Sequence, residues 1–390
     1  MSGHEYCRPK LLTLENTQGR RLTVVLRGYI PGDEEGMIAC IRDEYSATYF
    51  KRDFYNPDYL KKEAQSGHIT FFVAQTRAGE IAGMMILKEF MPIESMCEIA
   101  SLIFRRKYRG YGLSMPFFEF GMEVLLSRQY SAAYCLPVVY HDVTQRLLYR
   151  LGLRATGFVL NVFDMENIIH SYKNGRNVKH SQGIQICAAG RRDAGEVYLP
   201  AEHQNFCREI YKELGVKFHV AEDVSLNKND MPYISEITFE QNRLQSSLQI
   251  NICSVGTDLP KRMHALHKSF PMTGKQTSNV FLNISDKNAV WAYRRLTELG
   301  YFFTGLKPLC SEREYMVMHN SGEVEIYFED YILSSEFKEI SIYIKKGRSK
   351  TVKENNKEKN NITDAGHADN GHAADRGSKY YKPLPYEDDY

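Results

Sequence analysis

The sequence predicts an α/β (α+β) fold, and three observations carry that prediction. Short apolar runs of strand length alternate with capped amphipathic stretches of helix length from about residue 20 onward. In the first half a buried strand, a turn with two glycines and a helix follow one another without interruption, from Glu98 to Ser127. The strand–helix–strand pattern of Val138 to Gly157 then recurs at Asn283 to Gly305, where a Leu-Gly pair again ends the helix and an aromatic strand follows.

Taken in order, Leu22 to Arg27 is apolar and β-branched and reads as a first strand. In the turn Ile30-Pro31-Gly32-Asp33, Asp33 is placed to cap a helix that carries Met37, Ile38, Ile41 and Tyr45 on one face. Asn56-Pro57 joins an N-cap residue to a proline at the first helical position, and that helix ends near Gly67. Ile69 to Gln75 and Ile81 to Leu87 read as strands joined by a hairpin at Arg77-Ala78-Gly79. The strand Glu98 to Phe104 leads through Gly110 and Gly112 to a helix ending at Ser127, and Ala132 to Val139 is another strand. Asp142-Val143-Thr144-Gln145 has the spacing of a capping box and opens a helix that stops at Gly152. Phe158 to Phe163 closes this first module.

A second module begins near Gln182, with a short strand at Ile184 to Ala188 and a helix at Glu202 to Leu214. Strands at Glu236 to Phe239 and Ser247 to Ile252, a helix at Pro260 to Lys268 and a strand at Asn279 to Ile284 follow. Ser285 is placed to cap the next helix, and Tyr301 to Leu306 and Glu314 to Met318 finish as strands. From Lys345 the chain turns to Lys, Arg, Glu, Asn and Ser, a composition that cannot bury enough apolar surface to order itself. The expected domains are therefore 20–165, 182–344 and a disordered polar tail, 345–390.

With 50 basic against 48 acidic residues, net charge gives no argument for a nucleic-acid or membrane partner. No apolar run reaches the roughly 18 residues of a membrane helix, and Met1 to Lys10 is polar, without a signal-peptide pattern. The 8 cysteines form no C-x-x-C pair, so no metal site is expected and a reducing cytoplasm is the default.

The chemistry gathers at Arg109-Gly110-Tyr111-Gly112-Leu113-Ser114. Two glycines let backbone N–H groups turn toward one point, the helix beyond adds the positive end of its dipole, and Arg109 supplies charge. On these residues alone an ordinary strand-to-helix turn is an equal reading. However, Arg109-x-x-Gly112-x-Ser114 resembles the Arg/Gln-x-x-Gly-x-Gly/Ala pyrophosphate loop of the GCN5-related N-acetyltransferases, the GNAT superfamily. Ser114 departs from the pattern, mildly, since Ser is small and a good N-cap. The resemblance covers roughly residues 20 to 165.

The resemblance implies a GNAT fold, a mixed and mostly antiparallel sheet flanked by helices, with acetyl-CoA as co-substrate. Arg109 to Ser114 would hold the pyrophosphate, and Leu102, Ile103 and Phe104 would pair with the pantetheine arm and offer a backbone N–H to the oxyanion. The reaction would be acetyl transfer to a primary amine by direct attack in a ternary complex. Glu98 is the candidate base, because GNAT enzymes often carry an acid on this strand, with Glu94 a weaker one. The family's proton-donating tyrosine would stand four residues before Gly152, where this chain has Leu148. Tyr149 is one residue on, about 100° around a helix. Tyr140 and His141 are other candidates, and a thiolate can also take its proton from solvent.

Acceptor specificity would lie at about Asp43 to Gly67, where Tyr45, Tyr49, Phe50, Phe54 and Tyr55 mix with Lys51, Arg52 and Asp53; the acceptor itself is not legible. The basic run Arg105, Arg106, Lys107 and Arg109 is too local for a nucleic-acid track and is expected to face the cofactor phosphates. The second module resembles a degenerate GNAT fold. Its loop, Ser254-Val255-Gly256-Thr257-Asp258-Leu259-Pro260, has one glycine, no arginine, and an aspartate that would repel a diphosphate. It is expected to lack a CoA site and to cover the sheet edge, shape the acceptor pocket or offer a protein-partner surface. A non-catalytic acyl-CoA-binding regulator or scaffold is the alternative to an enzyme.

Overall fold

Runs of Val, Ile, Leu, Met and Phe that are buried on both faces build most of the strands, and such strands pair side by side. The protein is described by a computed structural model, which covers residues 8–90, 93–128, 130–165, 175–190, 192–221, 230–310 and 313–348. The side chain of Glu94 and the tail beyond residue 348 lie outside the described residues.

The first half runs β1 (Lys10–Glu15), β2 (Arg21–Gly28), α1 (Glu34–Tyr45), α2 (Pro57–Ser66), β3 (Ile69–Thr76), β4 (Ile81–Phe90), β5 (Ile93–Phe104), α3 (Ser114–Ser127), β6 (Ala132–Cys135), α4 (Val143–Arg150), β7 (Arg154–Asp164) and β8 (Lys179–Ala188). The second continues with β9 (Asp193–Val197), α5 (Ala201–Glu213), β10 (Lys217–Val220), β11 (Glu236–Asn242), β12 (Ser247–Ser254), α6 (Leu259–Ser269), β13 (Thr277–Asn283), α7 (Ala289–Glu298), β14 (Phe302–Cys310) and β15 (Arg313–Asn320). A last helix, α8, spans residues 335–348 and so runs past the expected start of the tail at 345.

Thirteen strands form one sheet in the order β1-β2-β3-β4-β5-β6-β8-β7-β14-β15-β13-β12-β11, while β9 and β10 pair separately. Within the large sheet only β5–β6 and β12–β13 are parallel. From β2 to β7 the succession of strands and helices is the one expected from the sequence, and the sheet is mixed and mostly antiparallel, with helices on both faces. On one face α1 buries Met37, Ile38 and Ile41 among Phe71, Met84 and Ile86. On the other, α3 buries Phe117, Phe118 and Val124 among Phe72, Met85 and Ile99.

The strand expected to open the second module, at Ile184 to Ala188, is β8, and it lies between β6 and β7, inside the first half. With that placement the sheet order is palindromic. The series β5-β6-β8-β7 is met back to back by β14-β15-β13-β12, in which β13, α7, β14 and β15 repeat the connection of β6, α4, β7 and β8. The halves join where β7 meets β14, with Gly157 opposite Gly305. A Cβ built on Gly157 would stand 2.6 Å from the Gly305 Cα and 2.7 Å from the Thr304 carbonyl oxygen. Glycine is required here because two backbones touch.

Several local expectations differ in instructive ways. Asp33 occupies the N-cap of α1 but makes no side-chain cap, because its carboxylate takes the buried Arg27 guanidinium at 2.6 and 2.8 Å and the Ile30 amide at 2.9 Å. Asn56 does cap α2, accepting from the Asp58 amide at 3.0 Å. The capping box at α4 is not formed. Asp142 pairs with Arg146, and Gln145 is buried, donating to the carbonyls of Val138, His141 and Ile332 and accepting from the Ser334 amide at 2.8 Å. Gln145 thus ties α4 to the segment that leads into α8. Asn288, not Ser285, holds the N-cap of α7.

Gly157→Ala is expected to destabilise the fold by about 1–3 kcal/mol, the usual cost of overpacking. Gly305→Ala adds strain, because Gly305 has a φ of +143°. Denaturant titration with an unchanged m-value would register both as a lower midpoint.

Candidate functional site

Strands β5 and β6 pair over only three residues, Met96 to Ala132, Cys97 to Ala133 and Glu98 to Tyr134. Past Glu98 they part. β6 ends at Cys135, held to β8 opposite Gln185, while β5 stays with β4 as far as Phe104. A bulge accompanies the parting. Met84 faces Ile103 and Ile86 faces Ala100, so Met85 opposes both Ser101 and Leu102, and Ser101 takes a φ of +51°. From Ile99 to Phe104 the cleft-side edge of β5 has no strand beside it, which leaves backbone groups available to a ligand.

The gap is a cleft of about 360 Å³. Glu98 to Phe104 form one wall, and Cys135 to Val138 with Gln182 form the other. Tyr45, Tyr49, Phe50 and Lys51 close one end, and Tyr140, His141, Val143, Thr144 and Leu148 stand across from them. Of the residues singled out in the sequence, Glu98, Leu102, Ile103, Phe104 and Arg109 line this cleft.

Gly110, Tyr111, Gly112, Leu113 and Ser114 follow as the turn into α3. Gly110 and Gly112 have φ of +83° and +74°, and a Cβ on either would meet nothing within 4 Å. Backbone conformation asks for glycine here, and the space above stays open. Among the described residues the amides of Gly110, Tyr111, Gly112 and Leu113 donate to no group. Leu113, not Ser114, is the N-cap of α3, and it brings no side-chain cap. The positive end of a 14-residue helix is therefore uncovered beside the turn.

The basic run is arranged differently from expectation. Arg105, Lys107 and the Tyr108 hydroxyl all converge on Glu80. Hydrogen bonds from Lys107 and Tyr108 hold the Glu80 carboxyl down at about 2. Arg106 approaches Glu44 at 4.0 Å. Only Arg109 reaches the cleft, donating to the Phe104 carbonyl at 2.9 and 3.1 Å while pairing with Glu44. Of the four cations expected to face a common ligand, one lines the cleft, positioned by a carboxylate that the sequence did not single out.

Tyr149 is not brought to the cleft. Its ring is 38% exposed and lies under the Arg154 guanidinium, 4.5 Å away, on a separate hollow against residues 333–338. Leu148 is buried and lines the cleft instead. The rotation of one helical residue is enough to separate the two. Tyr140 and His141 do line the cleft.

The end of the cleft at Tyr45 to Lys51 has features that only the fold assembles. The Lys51 ammonium donates to Ser101 Oγ at 3.4 Å and lies 5.6 Å and 5.3 Å from the ring centroids of Phe50 and Phe54. Tyr49 OH and Ser101 Oγ are 2.9 Å apart. Burial pushes the Lys51 amine down from its ordinary value, and the Glu98 charge opposes that shift. Behind this end Phe50 stacks on Phe163 at 4.8 Å, and Phe163 and Tyr140 both pack on His180. His180 is buried, its Nε2 has no hydrogen-bond partner among the described residues, and burial lowers its pKa to about 3, helped by His141.

The second half is arranged differently. β12 and β13 stay paired through six successive residue pairs, Ser247–Thr277 to Ile252–Leu282, with no parting. The turn before α6 is filled by the protein's own segment 232–235. Gly256 N donates to Ser235 Oγ at 2.9 Å, Thr257 N to the Pro232 carbonyl at 2.9 Å and Asp258 N to the Tyr233 carbonyl at 3.2 Å. The Asp258 carboxylate takes the Ser235 amide and hydroxyl at 2.8 and 2.7 Å. The amides that stay open at Gly110 and Gly112 are consumed here.

Among the described residues no group of three or more His, Cys, Asp or Glu is placed to hold a metal ion. No described helix is long and apolar enough to cross a membrane. No protein-family model and no curated protein matches the chain. Solved structures similar to it include an N-acetyltransferase from Staphylococcus aureus Mu50, at 13% identity and a TM-score of 0.35, covering 43% of this chain and 98% of that one. Mutant forms of a spermidine/spermine N-acetyltransferase from Vibrio cholerae are similar at 16% identity and a TM-score of 0.36, covering 43% of this chain and 94% of that one. Likeness at this level settles nothing about the chemistry of the cleft.

His180 gives a pH prediction. Its folded value lies below the ordinary imidazole value of about 6.5, so the unfolded chain binds the proton first as pH falls. The stability that goes with the neutral ring is full above about pH 6.5 and is lost progressively toward pH 3. His180→Phe is expected to flatten this acid limb, read as a smaller difference between urea midpoints at about pH 7 and pH 5.

Proposed function

We propose that this protein is an acyl-CoA-dependent N-acyltransferase that moves an acetyl group from acetyl-CoA to a primary amine by direct attack in a ternary complex. The observation that carries the reading is the continuity of the site. A strand edge left open by the parting of β5 and β6 runs straight into an uncapped glycine turn at a helix N-terminus. The strand edge suits an extended amide-bearing arm, and the turn suits a diphosphate.

In this reading Gly110 to Ser114 offer amides to the diphosphate, and Arg109, aimed by Glu44 and the Phe104 carbonyl, adds the charge. Leu102 to Phe104 pair with the pantetheine arm, and an N–H at the bulge receives the oxyanion as the thioester carbonyl is attacked. The incoming ammonium, with an ordinary pKa near 10, must shed a proton. Glu98 lines the cleft at the last paired residue of β5 and takes that proton directly or through a water. Tyr140 or His141 stands where the leaving thiolate can be met, and Leu148 is inert. The second half serves as a scaffold or partner surface without a cofactor site. The protein acts in the cytoplasm, without nucleic acid or membrane.

One observation favours the runner-up, a non-catalytic acyl-CoA-binding regulator. Leu148 takes the wall position where a proton donor would stand.

Calorimetric titration with acetyl-CoA and with CoA is expected to give one site per chain. Gly112→Asp, which adds a side chain and a negative charge to the turn, should abolish binding; unchanged affinity would remove the assignment. Glu98→Gln should lower kcat by roughly 10²–10⁴-fold and leave acetyl-CoA affinity intact, while Tyr149→Phe should change neither. Binding without turnover across an amine panel would transfer the reading to the regulator.

A further inference from the structure

Lys51 is a cation at the wrong place for a bystander. It lines the acceptor end of the cleft, in the company of Glu98, Ser101 and Leu102. Its Nζ lies 3.4 Å from the hydroxyl of Ser101, the residue at which β5 bulges. The rings of Phe50 and Phe54 flank the ammonium, and the Tyr49 hydroxyl completes the contact with Ser101. An ammonium has three N–H donors, and among the described residues this one has a single hydrogen-bond partner and no ion pair.

We propose that Lys51 is itself an acyl acceptor: its amine takes the acyl group from the acyl-CoA held in the same cleft. The proposal rests on the acyl-CoA reading above. If the pantetheine arm follows Phe104 back to Leu102, the thioester arrives at the bulge, and the nitrogen already standing beside that bulge is Nζ of Lys51. Burial among aromatic rings favours the neutral, nucleophilic amine. Other lysines differ: Lys61 and Lys62 are exposed on α2, Lys107 is held protonated by Glu80, and Lys307, whose amine burial pushes down to about 8, is not among the residues that line the cleft.

The step balances without a redox partner. The Nζ lone pair attacks the thioester carbonyl carbon, so a C–N bond forms and the C–S bond breaks. The nitrogen sheds one proton, to Glu98 or to water, and the departing CoA thiolate gains one. The products are an amide on Lys51 and free CoA. Acylation replaces a titratable amine with an amide that cannot take up a proton, so the modified protein meets its external acceptor with a permanently neutral wall at this end of the cleft.

The test is incubation of the full chain with isotope-labelled acetyl-CoA, followed by peptide mass spectrometry, with calorimetry on the same sample. The expected result is one label per chain, on Lys51, at a rate independent of protein concentration, as an intramolecular step requires. Lys51→Arg should lose it, with Lys51→Met as a second variant that keeps the stem. Gly112→Asp should slow it at least about tenfold. Label spread evenly over Lys61, Lys62 and other exposed lysines, or none on Lys51 while calorimetry shows acetyl-CoA bound, overturns the proposal. Absence of binding overturns the acyl-CoA reading first and this proposal with it.

Discussion

The contact between Gly157 and Gly305 sets the terms for everything else. The backbones approach so closely here that a Cβ on Gly157 would stand 2.6 Å from the Gly305 Cα, and one on Gly305 2.2 Å from the Gly157 Cα, so both positions need glycine. That meeting joins two similar strand connections into a single sheet. Thr156 Oγ1 donates to the Leu306 carbonyl and Thr304 Oγ1 to the Phe158 carbonyl, at 2.8 and 2.9 Å, so the same exchange is made from both sides of the joint. Each half thereby buries one edge that an isolated module would leave to solvent or to a second chain.

Joined in this way, the halves differ in their treatment of one parallel strand pair. In the first half, β5 and β6 separate after three residue pairs and leave a cleft, and the turn beyond keeps its amides free. In the second, β12 and β13 stay paired, and residues 232–235 lie across the corresponding turn. A Cβ on Gly256 would stand 2.5 Å from the Ile234 carbonyl carbon, which measures how closely that segment is pressed in. The second half satisfies its turn amides within the chain, whereas Gly110 and Gly112 face solvent. Asp258, which would repel a diphosphate, instead fixes the plug through Ser235.

The parts of the fold written in local chemistry were legible in the sequence. Asn56-Pro57 capped a helix, Gly152 ended one, Arg77-Ala78-Gly79 turned a hairpin, and the glycine pair marked the turn before α3. What failed were residues whose side chains had a better offer from far away. Asp33 prefers Arg27 to its own helix, and Gln145 prefers three carbonyls and the Ser334 amide to a capping box. The placement of β8 was illegible for a related reason: strand order is set by pairing across the chain, and nothing local states that Ile184 lies beside Gly157. In the site, Glu98 and Arg109 could be named from their spacing, but Glu44, Ser101 and Gln182 reach the cleft only through the fold. Lys51 was visible only as one charge in an aromatic stretch.

The bulge at Ser101 links that stretch to the chemistry. A non-glycine residue with φ of +51° costs about 1–2 kcal/mol in a strand that could run straight. The surrounding contacts offset this cost: the pairing of β4 on both sides of the bulge, and the Tyr49 hydroxyl with the Lys51 amine on the Ser101 side chain. The strained residue and the residues that hold it come from two elements, the open edge of β5 and the segment after α1. The hydroxyl of Ser101 ties them together, so a rearrangement of Tyr49 or Lys51 bears directly on the bulge of the β5 backbone.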